Sequence, residues 1–292
     1  MTLHGRTALI TGGGGPLGRA FAPRTLAGAG ARVILVGRGE RALADAAARV
    51  AKAGGGARTA VCDVSDPESV RALALELADE EVSLLVNNAG VAGPVRPLTD
   101  VEPEEWDEVF AANVRGVYLM CRAFLPPMIA AGGGDIVNIA SVSGKRPLLN
   151  RTPYTASKMA LLGLTRTLAG EVGPHGVAVN SLSPGPVRGP RMDRNFRLTA
   201  ELTGTSVEAA ERDFASRAAL GRLVEEDEVA RALVAMLAMP GLCGRTSTCR
   251  RGWSHRRSPG RGEHGGHGAA DGSRSSAAPT RAPRRPVCEH AV

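Results

Sequence analysis

Six short runs of β-branched and aliphatic residues recur along residues 6–239, and longer amphipathic segments separate them. Runs of this length predict strands, and the intervening segments predict helices that join parallel strands through right-handed crossovers. Because the strand runs are almost continuously apolar, we expect a sheet covered by helices on both faces. The predicted fold class is therefore α/β, with one doubly wound parallel sheet.

The expected bounds of these elements follow from where each pattern starts and stops. The predicted strands span residues 8–11, 32–36, 59–63, 83–87, 135–140 and 177–182. The predicted helices span residues 41–53, 68–78, 106–129 and 155–171, with a further helix beginning near residue 229.

The net charge of +7 belongs to one end of the chain. Residues 245–292 carry ten arginines and three acidic residues, which accounts for the whole excess, so residues 1–244 are neutral. Partners such as nucleic acid or a membrane are therefore not expected for the main body.

The sequence has no apolar run of membrane-spanning length, and the five cysteines form no C-x-x-C pair. We expect a cytoplasmic protein with reduced thiols and no metal site.

The carboxy-terminal composition divides the chain into two regions. Residues 245–292 are rich in Arg, Gly, Ser, Pro and Ala and almost lack large aliphatic residues. Such a segment buries too little apolar area to offset its chain entropy. We predict a folded domain over residues 1–244 and a disordered tail over residues 245–292.

A glycine-rich loop, Thr-Gly-Gly-Gly-Gly-Pro-Leu-Gly over residues 11–18, follows the first predicted strand and opens a helix. Small residues let the backbone approach a pyrophosphate closely, and free N–H groups at the helix start bind the phosphates. This position in a βαβ unit favours dinucleotide binding over a plain turn. Pro16 removes one N–H, but its fixed φ suits the first turn of a helix.

Arg38 follows the second predicted strand, at a position where NAD-specific folds often carry an acid. A guanidinium there pairs with a ribose 2′-phosphate, which favours NADP over NAD. A solvated surface arginine is the alternative interpretation.

Tyr154 and Lys158 lie four residues apart in a predicted helix, so their side chains share one face. A phenol with its ordinary pKa near 10 is a poor acid–base catalyst at neutral pH. An adjacent ammonium favours the phenolate and lowers that pKa. The chain contains only two tyrosines, at positions 118 and 154, so their placement beside a lysine is suggestive.

Taken together, these motifs resemble those of the classical short-chain dehydrogenase/reductase family. Further segments match in register over roughly residues 5–244: Asp63-Val64, Asn87-Asn88-Ala89-Gly90, Asn113, Ser141 thirteen residues before Tyr154, and Pro184-Gly185. The resemblance implies a Rossmann-type fold and an NAD(P)-dependent oxidoreductase. The implied reaction transfers a hydride between the nicotinamide and a small carbonyl or secondary alcohol substrate.

The resemblance also implies a role for each matching residue. Ser141 would hold the substrate oxygen, and Tyr154 would donate or accept its proton. Lys158 would lower the Tyr154 pKa and bind the nicotinamide ribose, while Asn113 would position a relay water. The implied cofactor contacts are Gly12, Gly14, Gly15, Leu17, Gly18, Arg38, Asp63, Val64, Asn88, Ala89, Gly90, Tyr154, Lys158, Pro184, Gly185 and Val187. A substrate lid is expected over residues 187–220.

The chain departs from the family pattern after Gly244, where a seventh strand normally follows. We hypothesise that a reading-frame shift has replaced that strand, so it is expected to be missing or altered; a natural disordered extension is the alternative. An exposed sheet edge would weaken the family-typical homotetramer or homodimer. A non-catalytic dinucleotide-binding protein, a nucleic-acid-binding tail and an inactive product of a frameshifted gene remain alternatives.

Overall fold

The structure, a computed structural model, describes residues 3–146, 148–218, 220–239 and 241–249. Its strands are β1 (Thr7–Thr11), β2 (Arg32–Gly37), β3 (Ala57–Val61), β4 (Val82–Asn87), β5 (Gly134–Ile139), β6 (Val177–Pro184) and β7 (Thr246–Cys249). Within the described residues they form one parallel sheet in the order β3-β2-β1-β4-β5-β6-β7. The predicted doubly wound α/β fold is confirmed.

Helices cover both faces of this sheet. They are α1 (Pro16–Phe21), α2 (Glu40–Lys52), α3 (Pro67–Glu76), α4 (Pro103–Phe110), α5 (Gly116–Ala130), α6 (Thr152–Val172), α7 (Pro190–Thr203), α8 (Val207–Ser216) and α9 (Glu226–Leu237). Leu43 of α2 and Leu233 of α9 are buried against one face, while Phe124 of α5 and Leu161 of α6 are buried against the other. Among the described residues, no helix has both the length and the apolar character needed to cross a membrane.

The direction of winding reverses between β1 and β4, which are neighbours in the sheet. From β1 the chain proceeds to β2 and β3 on one side, whereas β4 to β7 extend on the other side. Loops after the carboxyl ends of β1 and β4 therefore border a crevice at this reversal, the usual ligand position in such sheets. The glycine-rich loop and Asn88 follow these two strands.

The seventh strand, expected to be missing or altered, is not missing: β7 pairs with β6 from Ser181↔Thr246 to Pro184↔Cys249. Asn180 fastens the preceding turn, since its Oδ1 accepts from the Arg245 N–H at 3.1 Å and its Nδ2 donates to the Leu242 carbonyl at 2.6 Å. The sheet thus extends past residue 244, where we predicted the folded domain to end. The rest of the predicted tail lies outside the described residues.

Several predicted bounds differ from the observed ones by a few residues; α6, for example, begins at Thr152 rather than at Thr155. The helix expected over residues 106–129 is divided into α4 and α5 by a π-helical segment, Ala111–Arg115. Such segments often occur at functional sites. The third strand lies two residues earlier than predicted, so Asp63 stands in the loop after β3 rather than at the strand end.

Candidate active site

The glycine-rich loop is held in place from the neighbouring strand β4. Thr11 Oγ1 accepts hydrogen bonds from the N–H groups of Asn88 and Ala89, both at 3.0 Å. Asn88 Nδ2 in turn donates to the carbonyls of Thr11 at 2.9 Å and Gly12 at 3.2 Å. These bonds fix the loop across the crevice between β1 and β4.

Glycine is required in the loop because its backbone packs against itself. A Cβ added at Gly18 would lie 2.4 Å from the Gly12 carbonyl oxygen, and Gly12 has φ +64°, which favours glycine. Pro16 is the first residue of α1, with Gly15 at the N-cap. The prediction that Pro16 fits the first helical turn is confirmed.

Arg38 and Asp63 lie together beyond the ends of β2 and β3. An Arg38 Nη1 lies 3.8 Å from Asp63 Oδ2. Asp63 Oδ1 also accepts from the Ser65 N–H at 2.9 Å and the Ser65 hydroxyl at 2.7 Å. Burial alone would raise the pKa of Asp63, but the Ser65 hydrogen bonds and Arg38 lower it below its ordinary value. Asp63 is therefore an anion, and it lies within ion-pair distance of Arg38.

The loop after β5 places Ser141 beside α6. Gly144 permits this approach, because a Cβ there would lie 2.7 Å from the Lys158 carbonyl. Ser141 Oγ accepts from the Ser143 N–H at 3.1 Å and donates to the Ser143 hydroxyl at 3.3 Å. Ser141 also lies near Tyr154 and helps to lower the pKa of its phenol. Ser143 thus holds the Ser141 hydroxyl in place.

Tyr154 and Lys158 project from the amino-terminal part of α6. Lys158 is buried, and its Nζ lies 5.9 Å from the centre of the Tyr154 ring while donating to the Ile139 carbonyl at 2.8 Å. The predicted helical spacing therefore brings the ammonium and the phenol into one site.

Burial and charge act in opposite directions on the pKa of Tyr154. Burial alone would raise it, because a phenolate loses hydration. Arg191 and Lys158 nevertheless lower the pKa to about 8, with smaller contributions from the Ser141 hydrogen bond and Arg151. Burial also lowers the pKa of Lys158 to about 8, because the ammonium loses hydration. Both groups can therefore exchange protons close to neutral pH.

Asn113 lies in the π-helical segment and is fully buried. Its Nδ2 donates to the Val91 carbonyl and to Ser157 Oγ, both at 3.0 Å, and its Oδ1 accepts from the Val91 N–H at 2.8 Å. The side chain thus holds the loop containing Gly90, where an added Cβ would lie 2.7 Å from Asn113 Oδ1 and 3.6 Å from Lys158 Nζ. The water-positioning role of Asn113 stays a prediction.

A cavity of about 490 Å³ joins the glycine loop to the Ser141–Tyr154–Lys158 cluster. The predicted site residues that line it are Gly12, Gly14, Gly15, Leu17, Arg38, Asn88, Ala89, Gly90, Ser141, Tyr154, Lys158, Pro184, Gly185 and Val187. Four predicted residues are not among those lining it: Gly18, Asp63, Val64 and Asn113. These four lie behind the wall or beside it.

The segment expected to form a lid folds into α7 and α8, which pack through Phe196 and Phe214 with ring centres 5.5 Å apart. Arg191 of α7 lies over the Tyr154 ring at 5.3 Å from its centre, and Arg151 lies at 5.1 Å. Arg151 was not among the residues predicted for the site. It could have been predicted from its position, three residues before Tyr154 at the same end of the helix.

Comparisons with known proteins agree with this arrangement. The short chain dehydrogenase family profile matches residues 6–201. Galactitol 2-dehydrogenase (L-tagatose-forming) of Cereibacter sphaeroides is 39% identical over 243 residues, covering 82% of this chain and 89% of that enzyme. NAD⁺-bound xylitol dehydrogenase has a TM-score of 0.81 at 30% identity, covering 86% of this chain and 100% of the other. A single-substitution variant of actinorhodin polyketide ketoreductase, solved with NADPH, has a TM-score of 0.79 at 32% identity, covering 83% of this chain and 95% of the other.

The chain belongs to the short-chain dehydrogenase/reductase family. The family and the class of enzyme predicted from the motifs, an oxidoreductase, are therefore confirmed. The prediction of NAD or NADP as cofactor is supported by the two solved neighbours, which hold NAD⁺ and NADPH.

Proposed function

We propose that this chain interconverts a ketone and the corresponding secondary alcohol with NADP, and that Tyr154 donates or accepts the hydroxyl proton. The observation that carries the proposal is the placement of Tyr154, whose phenol shares one cavity with the glycine loop. Its pKa of about 8 suits proton transfer near neutral pH, which an ordinary phenol performs poorly.

The residues of the glycine loop fit a dinucleotide. A Cβ added at Gly14 would lie 2.8 Å from the Ala42 Cβ, so bare backbone forms this part of the cavity wall. Gly12, Gly14 and Gly15 would hold the pyrophosphate through that backbone. When bound, the nicotinamide ring supplies or accepts the hydride.

Each residue of the cluster then has one task. The Ser141 hydroxyl holds the substrate oxygen, and its hydrogen bonds to Ser143 fix its position. Tyr154 gives its proton to that oxygen during ketone reduction and takes one during alcohol oxidation. Lys158 favours the phenolate by its charge, and the Ile139 carbonyl fixes the ammonium.

Arg38 supports NADP as the preferred cofactor. It lines the cavity just after β2, and the neighbouring residues Gly37 and Gly39 carry no acid that would bond a ribose 2′-hydroxyl. A guanidinium binds a 2′-phosphate through charge-assisted hydrogen bonds.

A parallel screen tests the proposal. The full chain is assayed with ketones and NADPH or NADH, and with secondary alcohols and the oxidised cofactors. We expect turnover with a preference for NADPH, and we expect Arg38→Gln to reduce that preference about tenfold or more while sparing NADH turnover. A strong NADH preference in the unmodified protein would contradict the role of Arg38.

A non-catalytic dinucleotide-binding role is not favoured. Binding alone does not need a phenol whose pKa neighbouring cations lower toward neutral pH. The frameshift hypothesis for the tail stays a prediction, and resequencing the codons for residues 243–253 tests it.

A further inference from the structure

Two guanidinium groups lie near Tyr154 in addition to the Lys158 ammonium. The Arg151 and Arg191 guanidinium carbons lie 5.1 and 5.3 Å from the Tyr154 ring centre, and Lys158 already supplies a cation at 5.9 Å. Both arginines line the cavity on the wall that also holds Ser141. Three cations around one phenol ring make this end of the cavity positive, which favours the binding of a group of opposite charge.

Arg151 is buried with little compensation. Only 4% of it is exposed, and its Nη2 donates to the Ala92 carbonyl at 2.8 Å. Its Nε is enclosed without a hydrogen-bond partner in the described part of the chain. Ionised Tyr154 offsets part of the cost of burial, whereas repulsion from Arg191 and Arg194 adds to it. A buried cation in this state is destabilised unless an anion approaches it.

Two other arginines on the cavity wall are paired with acids. Arg188 pairs with Glu211 at 3.3 Å and with Glu225 at 3.2 Å, and Arg217 pairs with Asp213. No carboxylate of the described residues forms an ion pair with Arg151 or Arg191. The uncompensated positive charge is therefore concentrated at the Tyr154 end of the cavity.

The acid on the described cavity wall does not remove this charge. That acid is Glu226, which interacts with Arg19 and Arg49, on the glycine-loop side of the cavity, and with neighbouring Glu225. The positive charge beside Tyr154 is thus available to a bound molecule.

We infer that the substrate carries an anionic oxygen group, such as a carboxylate, close to its reacting carbonyl or alcohol, and that Arg151 and Arg191 bind this group. A guanidinium presents paired N–H donors that match two oxyanion oxygens, and such charge-assisted bonds are strong when partly buried. The inference rests on the proposed function and narrows its substrate class to oxo acids and hydroxy acids.

A purely electrostatic role for the arginines, in tuning Tyr154, predicts a different result. Loss of tuning would lower turnover of charged and neutral substrates alike and shift the pH profile equally for both. Loss of an anion-binding group raises KM for the charged substrate alone.

The experiment compares 2-, 3- and 4-oxo acids with their methyl esters, using the full chain and NADPH. Arg191→Gln is the main variant because Arg191 is exposed on α7, and Arg151→Gln is the second. Arg197→Gln is the matched control, since Arg197 is also exposed on α7 but does not line the cavity. Calorimetric binding of each acid and ester to the NADP-loaded protein is measured in parallel.

We expect kcat/KM for an acid to exceed that for its ester by about tenfold or more, and Arg191→Gln to remove that preference through KM. Arg197→Gln should preserve it. Equal use of acid and ester, or a preference that survives Arg191→Gln, would overturn the inference. If neither the acids nor the esters are turned over, the proposed function fails. The binding measurement then still tests the substrate class: tighter binding of the acid than of the ester, abolished by Arg191→Gln, would support it. Equal binding of acid and ester would refute it.

Discussion

The ionisation of Tyr154 is directly measurable because the chain has only two tyrosines. Tyr118 is 47% exposed on α5 and does not line the cavity, so Tyr118→Phe should leave the site unchanged. In that variant, the ultraviolet absorbance change on phenolate formation reports Tyr154 alone. We predict a titration midpoint at about pH 8.

The size of the effect follows from the surrounding charges. A shift from 10.0 to about 8 corresponds to about 2.7 kcal/mol of preferential stabilisation of the phenolate. Burial opposes the shift, so the cations and Ser141 must together supply more than that. At pH 8 about half of the phenol is then ionised, against about one hundredth for an ordinary tyrosine.

Adding Arg191→Gln to Tyr118→Phe tests the cause of the shift. Removing the largest favourable charge should move the midpoint to higher pH by about one unit, because the phenolate loses a stabilising cation. Circular dichroism across the same pH range verifies that the protein stays folded. A midpoint near 10 in Tyr118→Phe, or one that Arg191→Gln leaves unmoved, would refute the electrostatic reasoning.

Three further substitutions test the packing of the two loops and the bonds that hold β7. Gly90→Ala places a methyl 2.7 Å from Asn113 Oδ1 and should lower kcat about tenfold, measured by steady-state kinetics; an unchanged kcat would contradict the tight packing. Gly18→Ala places a methyl 2.4 Å from the Gly12 carbonyl oxygen and should raise the Kd for NADP, measured by calorimetry, about tenfold. Gly163→Ala is the control, because a methyl there meets no atom within 4 Å, and it should leave the Kd unchanged. Asn180→Ala removes the two side-chain bonds before β7 and should lower the urea-unfolding free energy by about 1–3 kcal/mol; no loss would show that these bonds do not hold the strand.

Local sequence patterns predicted the elements that carry the glycine-rich loop and the pair Tyr154 and Lys158. The i,i+4 spacing of Tyr154 and Lys158 survives in the structure because one helix, α6, contains both. Likewise, the glycine run follows a strand and opens a helix, which is a local arrangement that periodicity and turn chemistry reveal.

Features that depend on tertiary contacts were not predictable in the same way. Arg151 and Arg191 are forty residues apart in sequence and meet only because α7 folds over the start of α6. The π-helical segment arises where Asn113 bonds the loop after β4, and no periodicity signals it. The strand β7 was missed because its four residues stand within an Arg-rich composition, and a turn fastened by Asn180 places them beside β6.

The most direct test of the proposed chemistry is the turnover of Tyr154→Phe beside that of Tyr118→Phe, with one substrate and saturating NADPH. Removal of the phenolic hydroxyl should lower kcat by about 10²–10⁴-fold, the usual contribution of a positioned acid–base group, while Tyr118→Phe stays close to the unmodified protein. Equal turnover in the two variants would show that Tyr154 does not transfer the proton.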